Sequence, residues 1–534
     1  MSLRLSLTLL LAAVLSGHAI RADAQSPLGL DAATIPELNA AFDAGTLTAE
    51  ALTRWSLARI EAYDRQGPRL RGMIVVNPKA LDQARALDAE RRRTGRRSPL
   101  HGIPVVVKDN FDTADLPTTA GSLMLEGSRP PDDAFLVAKL MAAGAVLIGK
   151  ANLSEFASGG VAMSSLGGQM RNPHALDRTP SSSSGGSGIA VAAAYAVLAM
   201  GTDTGGSVRN PAAATGVVGL KPTHGLLGRD GIVPLALTYD APGPLARHVT
   251  DVAVALGLLA GVDPADAATQ KSVGHAQTDY TRELRRDALQ GARLGVARDF
   301  VGVDAEVDWV VEAALAALRR AGATVVNVRF PSWLLDAKGA FYDAVRYPEF
   351  AAQVPGYLAT LAPAFPRTLG QLIDRAMSVS GTRPDGAGPN PVRWNLMKRE
   401  AASGTLDAAG YLAVRDHGLP LTRVVVDGVL AADRLDAVVY PALSRRPALL
   451  AAPPTTAGGG RDSGVNLANL TGYPDLVVPA GFTTDGLPVG LSFLGPAWSE
   501  GRLLALGFSF EQATRARRLP VHTPPLGGDP LAAR

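Results

Sequence analysis

The residues TPSSSSGGSGIAVAAAYAVLAMGTDTGGSVRNP, 179–211, constrain the chain more than any other stretch. Their centre is almost wholly small and apolar, so it belongs in a core, whereas both ends are dense in serine and glycine. A surface linker has no use for such a centre, and an ordinary core helix has no use for such ends. The alanine- and glycine-rich run predicts a tightly packed helix over 186–201 with a hydroxyl cluster at either end.

The flanking pattern is that of an α/β protein. GIPVVVKDNFD, 102–112, carries a short β-branched run suited to a buried strand, and LVAKLMAAGAVLIGK, 136–150, reads as a helix followed by a strand. GVVGL at 216–220 predicts another buried strand and VTDVAVALGLLAG at 249–261 a helix. Strand, helix and strand alternate over 292–329. LDAVVYPAL and PDLVVPAGFTTDGLPVGLSFLG then return to strands, the second with Asp485-Gly486 placed as a hairpin turn. Residues 31–97 show helical spacing in LTRWSLARIEAY and KALDQARALDAERRR, and 332–432 is again mainly helical. The segments 380–391 and 451–464 have loop composition. With 534 residues, 47% of them hydrophobic, and no repeat or convincing linker, the expectation is one large α/β domain over 25–534. Its core would be a mixed, largely covered β-sheet surrounded by helices, with 332–432 as a variable cap.

The first 24 residues stand apart. Arg4 precedes an apolar run over 5–15, and Ala22-Asp23-Ala24 supplies small residues for cleavage after Ala24, the pattern of a secretory signal peptide. The run is too short for a spanning helix, which needs about 20 residues. The expectation is a periplasmic or secreted protein without membrane attachment after cleavage. Cysteine is absent, which removes disulfides and thiol nucleophiles. A net charge of +3 without a basic tract gives no footprint for nucleic acid.

The chemistry narrows by exclusion. The eight histidines form no H-E-x-x-H pair, no G-x-S-x-G elbow is present, no serine stands three residues before a lysine, and no glycine-rich loop carries G-K-[ST]. What remains is serine and lysine. Of 52 basic side chains only those at 79, 108, 139, 150, 221, 271, 338 and 398 are lysine, so a lysine in a buried-looking place invites the question of what arginine could not do there. Lys108 follows Val105-Val106-Val107 and is placed for desolvation, which lowers an amine pKa and would let it act as a base towards serine. Arginine does not deprotonate in proteins. The alternative is a structural lysine paired with Asp109.

The order GIPVVVKDN, PSSSSGGSG, GTDTGGSVRNPAA and GVVGLKPTHG resembles the amidase signature family, hydrolases with a Ser-Ser-Lys triad. The likeness extends to KANLSEFA at 150–157, DAPGPLAR at 240–247 and GYPDLVVPAGFTTDGLPVGLSFLG at 472–495. The resemblance implies Ser207 as the acylated nucleophile, Lys108 as the terminal base and Ser183, after a cis peptide bond, as the bridge between them. It implies an oxyanion hole from the backbone amides of Thr204, Gly205, Gly206 and Ser207, and chemistry that needs no cofactor and no metal. Arg209, Asp203, Asn152, Glu155 and Asp240 are expected to order loops or support packing. One departure concerns Ser181 and Ser182, which stand where the family commonly has glycine. GPRLRGMIVVNPKA, SPLHGIPVVVKDN and GLPVGLSFLGPAWSE are similar to bacterial peptide amidases, which release ammonia from C-terminal carboxamides. A broad aliphatic or aryl amidase, a silent binding protein and the glutaminase-type component of an amidotransferase are the alternatives. A small-molecule or peptide amide is the expected partner, with the chain a monomer or homodimer.

Overall fold

The computed structural model describes residues 29–378, 388, 390–452 and 460–526. The expected signal segment, the cleavage after Ala24, most of 380–391 and the middle of 451–464 lie outside the described residues.

Thirteen strands are formed in chain order among the described residues. They are β1 (Met73–Val76), β2 (Pro104–Lys108), β3 (Val146–Ala151), β4 (Met163–Ser164), β5 (Gly168–Gln169), β6 (Leu198–Asp203), β7 (Val218–Lys221), β8 (Ala241–Ala246), β9 (Arg293–Ala297), β10 (Thr324–Val328), β11 (Ala437–Pro441), β12 (Asp475–Phe482) and β13 (Pro488–Leu494). β4 and β5 make a small hairpin, and the other eleven build one sheet in the order β1-β3-β2-β6-β8-β7-β12-β13-β11-β9-β10. Beside the antiparallel edge strand β1, β3, β2 and β6 run parallel, as do β11, β9 and β10 at the other end, with antiparallel pairings between. Every residue of β2, β3, β6, β7 and β8 is buried, because helices cover both faces and leave no polar side to alternate with. The molecule is thus the single large α/β domain with a covered mixed sheet that its apolar runs suggest.

Two local assignments differ from the sequence reading, and one strand, β8, has no local signal in it. The run 186–201 is not one helix: it forms the helix Gly185–Ala192, a turn with Ala194 at φ +56°, and then β6. A continuous small apolar run satisfies a buried helix and a buried strand equally, so periodicity cannot place the boundary. β1 emerges inside the stretch read as helical, since four residues at the sheet edge are too few to show a period of two. β8 lies between β6 and β7 although it contains Pro242 and Pro244, residues that normally argue against an inner strand.

The described residues of 332–432 are mainly helical, with helices Ser332–Leu358, Leu369–Ser378, Pro391–Ala401, Ala409–Ala413 and Leu419–Ala432. The first of these carries Tyr342, whose hydroxyl would stand 2.8 Å from a Cβ added at Gly205, just beyond β6. No helix among the described residues is long and apolar enough to cross a membrane.

Candidate active site

The site lies at the carboxyl ends of β2 and β6, where open sheets of this kind expose loops to ligands. Lys108 is the last residue of β2, and Thr202 and Asp203 end β6, the adjacent parallel strand. Lys108 is fully buried. Its Nζ lies 2.7 Å from Ser183 Oγ and 2.8 Å from Thr202 Oγ1, with the Thr202 carbonyl at 3.5 Å. Burial lowers its pKa from 10.5 to about 7, against the opposing influence of Asp203 and Asp240. Among the described residues no carboxylate forms an ion pair with it. Asp109, its expected partner in the structural alternative, is instead paired with Lys150 at 3.3 Å. Successive strand residues face opposite sides of the sheet, so Lys108 and Asp109 diverge.

Ser183 reaches Lys108 because its loop is tied on both sides. The Ser154 amide donates to the Ser183 carbonyl at 2.9 Å, and the Ser184 amide donates to the Ser207 carbonyl at 3.1 Å. The second bond fastens the two hydroxyl clusters together. They lie at the outer ends of a helix and strand that run back along each other, a correction to the single helix expected between them. The Ser182-Ser183 peptide is cis, as the resemblance implies. Ser181 sits at φ +66°, in the left-handed region that favours glycine, and its amide donates to Thr179 Oγ1 at 3.0 Å.

The loop carrying Ser207 is shaped by Asp203. Its carboxylate accepts from the amides of Gly206 at 2.7 Å and Val208 at 3.0 Å, and from Arg209 Nε at 3.0 Å. Burial alone would raise the Asp203 carboxyl, but the Arg209 guanidinium holds it well below the usual range. Arg209, itself fully buried, also donates to Asp475 at 2.6 Å and Asn469 at 2.7 Å. Gly206, expected in the oxyanion set, therefore spends its N–H on Asp203. Thr204, Gly205 and Ser207 remain of the expected four amides. A side chain at Gly206 would strike Val465 Cγ2 at 2.5 Å, and one at Gly205 would meet Tyr342 Oη at 2.8 Å. Thr204 Oγ1 donates to Asp240 Oδ1 at 2.5 Å, and burial raises Asp240 to about 6. Asn152 and Glu155 bond to neighbouring loops: Asn152 Nδ2 to the Arg71 carbonyl at 2.8 Å, and Ser122 Oγ to Glu155 Oε1 at 2.6 Å.

Ser207, Gly205, Ser181, Ser182 and Tyr342 open onto a cleft of 470 Å³, walled by residues 157–162, 443–450 and 460–465. Such a volume is typical of a small-molecule or short-peptide site. Ser207 is partly exposed there, while Lys108 and Ser183 are buried. An electrophile in the cleft would thus meet the Ser207 hydroxyl, whereas the Lys108 amine, held against Ser183 Oγ, is buried. Thr202, Asn110, Asp475 and Tyr342 were not singled out in the sequence. The first three lie inside motifs that carry the resemblance, whereas Tyr342 arrives from the helical region with no local signal.

The family model described as Amidase matches residues 51–504. The chain is 41% identical to the peptide amidase from Stenotrophomonas maltophilia, whose crystal structure superposes with a TM-score of 0.81 over 92% of this chain and 99% of that one. It is also 40% identical to a glutamyl-tRNA(Gln) amidotransferase subunit from Halorhodospira halophila, over 90% of this chain and 97% of the relative. The crystal structure of the subunit of the same name from Thermotoga maritima superposes with a TM-score of 0.69 at 27% identity, over 92% of this chain and 98% of that one. The chain belongs to the amidase family and is an amidase-family hydrolase.

Proposed function

We propose that the protein is an exported peptide amidase that hydrolyses C-terminal carboxamides of peptides through an acyl-enzyme on Ser207. The observation that carries the hydrolytic reading is the 2.7 Å contact between Lys108 Nζ and Ser183 Oγ, in a buried setting where burial favours the uncharged amine. Ser207 Oγ attacks the carboxamide carbon, its proton passes to Ser183, and the Ser183 proton passes to Lys108. The tetrahedral oxyanion is held by the amides of Thr204, Gly205 and Ser207. Each such donor contributes about 2.7 to 4 kcal/mol to the transition state. Lys108 returns a proton through Ser183 to the departing nitrogen, which leaves as ammonia. Water then attacks the Ser207 ester, releases a carboxylic acid and restores the hydroxyl.

The peptide specificity is supported by the 41% identity to the Stenotrophomonas enzyme and by a cleft roomy enough for an extended acyl part. Export is supported by Arg4, the apolar run over 5–15 and Ala22-Asp23-Ala24. A second reading, the glutamine-hydrolysing component of an amidotransferase, is favoured by the 40% identity to the Halorhodospira relative. Ammonia release by the purified chain distinguishes them. Turnover of peptide amides far above that of free glutamine is expected, and glutamine turnover at or above that of peptide amides would overturn the peptide reading. N-terminal sequencing of protein recovered outside the cytoplasm should begin at Gln25.

A further inference from the structure

A base made from lysine needs more than a low proton affinity. A neutral amine has two N–H donors and one lone pair, and only the lone pair can take a proton from Ser183. If the amine turns, a buried Lys108 becomes another donor to Ser183 and the relay stops. Something must therefore take up the N–H groups on the side away from Ser183.

The end of β6 supplies it. The Thr202 carbonyl can only accept, so it draws one N–H of Lys108 at 3.5 Å. Thr202 Oγ1, at 2.8 Å, can accept the other, provided its own proton points elsewhere. Asn110, two residues beyond Lys108, donates from Nδ2 to the same oxygen at 3.1 Å, filling its second lone pair. Its Oδ1 is buried and has no hydrogen-bond partner among the described residues. Asn110 and Thr202 both line a small cavity of 10 Å³, together with Thr204, Asp240 and Arg229. That is the space of about one water molecule. A water there would accept a hydrogen bond from the Thr202 hydroxyl and donate one to Asn110 Oδ1, satisfying both groups and closing a ring.

We infer that Thr202 and Asn110, joined by a single water behind Lys108, are positioning residues that take up the Lys108 N–H groups and aim its lone pair at Ser183. The inference rests on the proposed base role of Lys108. The charged groups that face Lys108 from the packed elements are Asp203, at the end of β6, and Asp240, before β8. Asp203 is neutralised by Arg209, and Asp240 is held by Thr204, so neither substitutes for the hydroxyl.

The test is the pH profile of kcat/KM for hydrolysis of a peptide amide by Thr202→Val, Thr202→Ser, Asn110→Ala and Lys108→Ala in the full-length protein. Valine keeps the shape of threonine and removes the acceptor, which the three-donor cation needs more than the amine. The acid limb should move down by about one pH unit and the plateau fall about tenfold or more, with KM little changed. Thr202→Ser should restore the parental profile, and Asn110→Ala should move the limb in the same direction by less. A Thr202→Val limb at the parental position, or displaced upward, would overturn the inference. Lys108→Ala separates the two layers, because near-parental activity there would overturn the base role itself.

Discussion

Two fully buried lysines stand at the ends of neighbouring strands, and their surroundings differ in one respect. Lys150 on β3 donates to Thr118 Oγ1 at 2.8 Å, the Pro117 carbonyl at 2.9 Å and Thr113 Oγ1 at 3.2 Å, and it faces Asp109 at 3.3 Å. Lys108 on β2 has hydroxyls and a distant carbonyl but, among the described residues, no carboxylate partner. Burial lowers both, yet Asp109 resists the shift at Lys150, while the acids acting on Lys108 do so without contact. Burial alone therefore does not make a base. A buried amine with a counter-ion is a fastening, and one that meets alcohols with no counter-ion can exchange a proton with them.

The most severe way to break this contrast is to remove each end of the proposed relay. Ser207→Ala should lower turnover of a peptide amide on the order of 10⁴-fold or more. It should also eliminate any acyl-enzyme detectable by mass spectrometry, with the circular dichroism spectrum unchanged. Lys108→Ala should lower the rate by about 10² to 10⁴-fold.

Lys150→Met tests the other side. It leaves Asp109 buried and unpaired, so a loss of about 3 to 5 kcal/mol in urea unfolding at pH 7 is expected. The folded fraction should keep its activity. Lys108→Met should do the reverse, removing activity while raising stability. The folded pKa of Lys108, about 7, lies below its ordinary 10.5, so between those values the unfolded chain binds more protons. The burden of burying this amine is therefore full below pH 7 and fades as pH rises towards 10.5. The stability gain of Lys108→Met should shrink across that window.

Activity of the parent protein sharpens the comparison without mutation. If Lys108 must be uncharged, kcat/KM should fall below about pH 7, tenfold per unit where one group controls it. A rate flat down to pH 5 would sink the lysine base. The smallest effect is expected at Ser181, whose left-handed backbone delivers Ser183 without touching Lys108. Ser181→Gly relieves that conformation but frees the unfolded chain, for a net gain within about 1 kcal/mol by urea unfolding.

The apolar strands around Val105-Val106-Val107 and 437–441 and the hairpin at Asp485-Gly486 were legible because each has a local cause: β-branching, or a turn residue at the needed offset. The motifs likewise pointed to Lys108 and Ser183, whose side chains meet at 2.7 Å, and to Ser207, whose carbonyl accepts from the Ser184 amide. The split of 186–201 into helix and strand was not legible, nor was β8 with its prolines. In both, the partner strands rather than local preference select the conformation. The same holds for the amide of Gly206, engaged by an aspartate three residues away, and for Tyr342, which closes over Gly205 from a distant helix.

From residue types and order alone follow the covered sheet, the hydroxyl clusters and a lysine at the end of an apolar strand, since these depend on which groups water rejects and which can react. Which lysine keeps a counter-ion and which faces serine depended on folding. Strand alternation sends Lys108 and Asp109 to opposite faces, and residues far apart in the chain supply the groups each one meets. Proton affinity is set by those neighbours within a few ångströms, and the linear order of residues does not contain them.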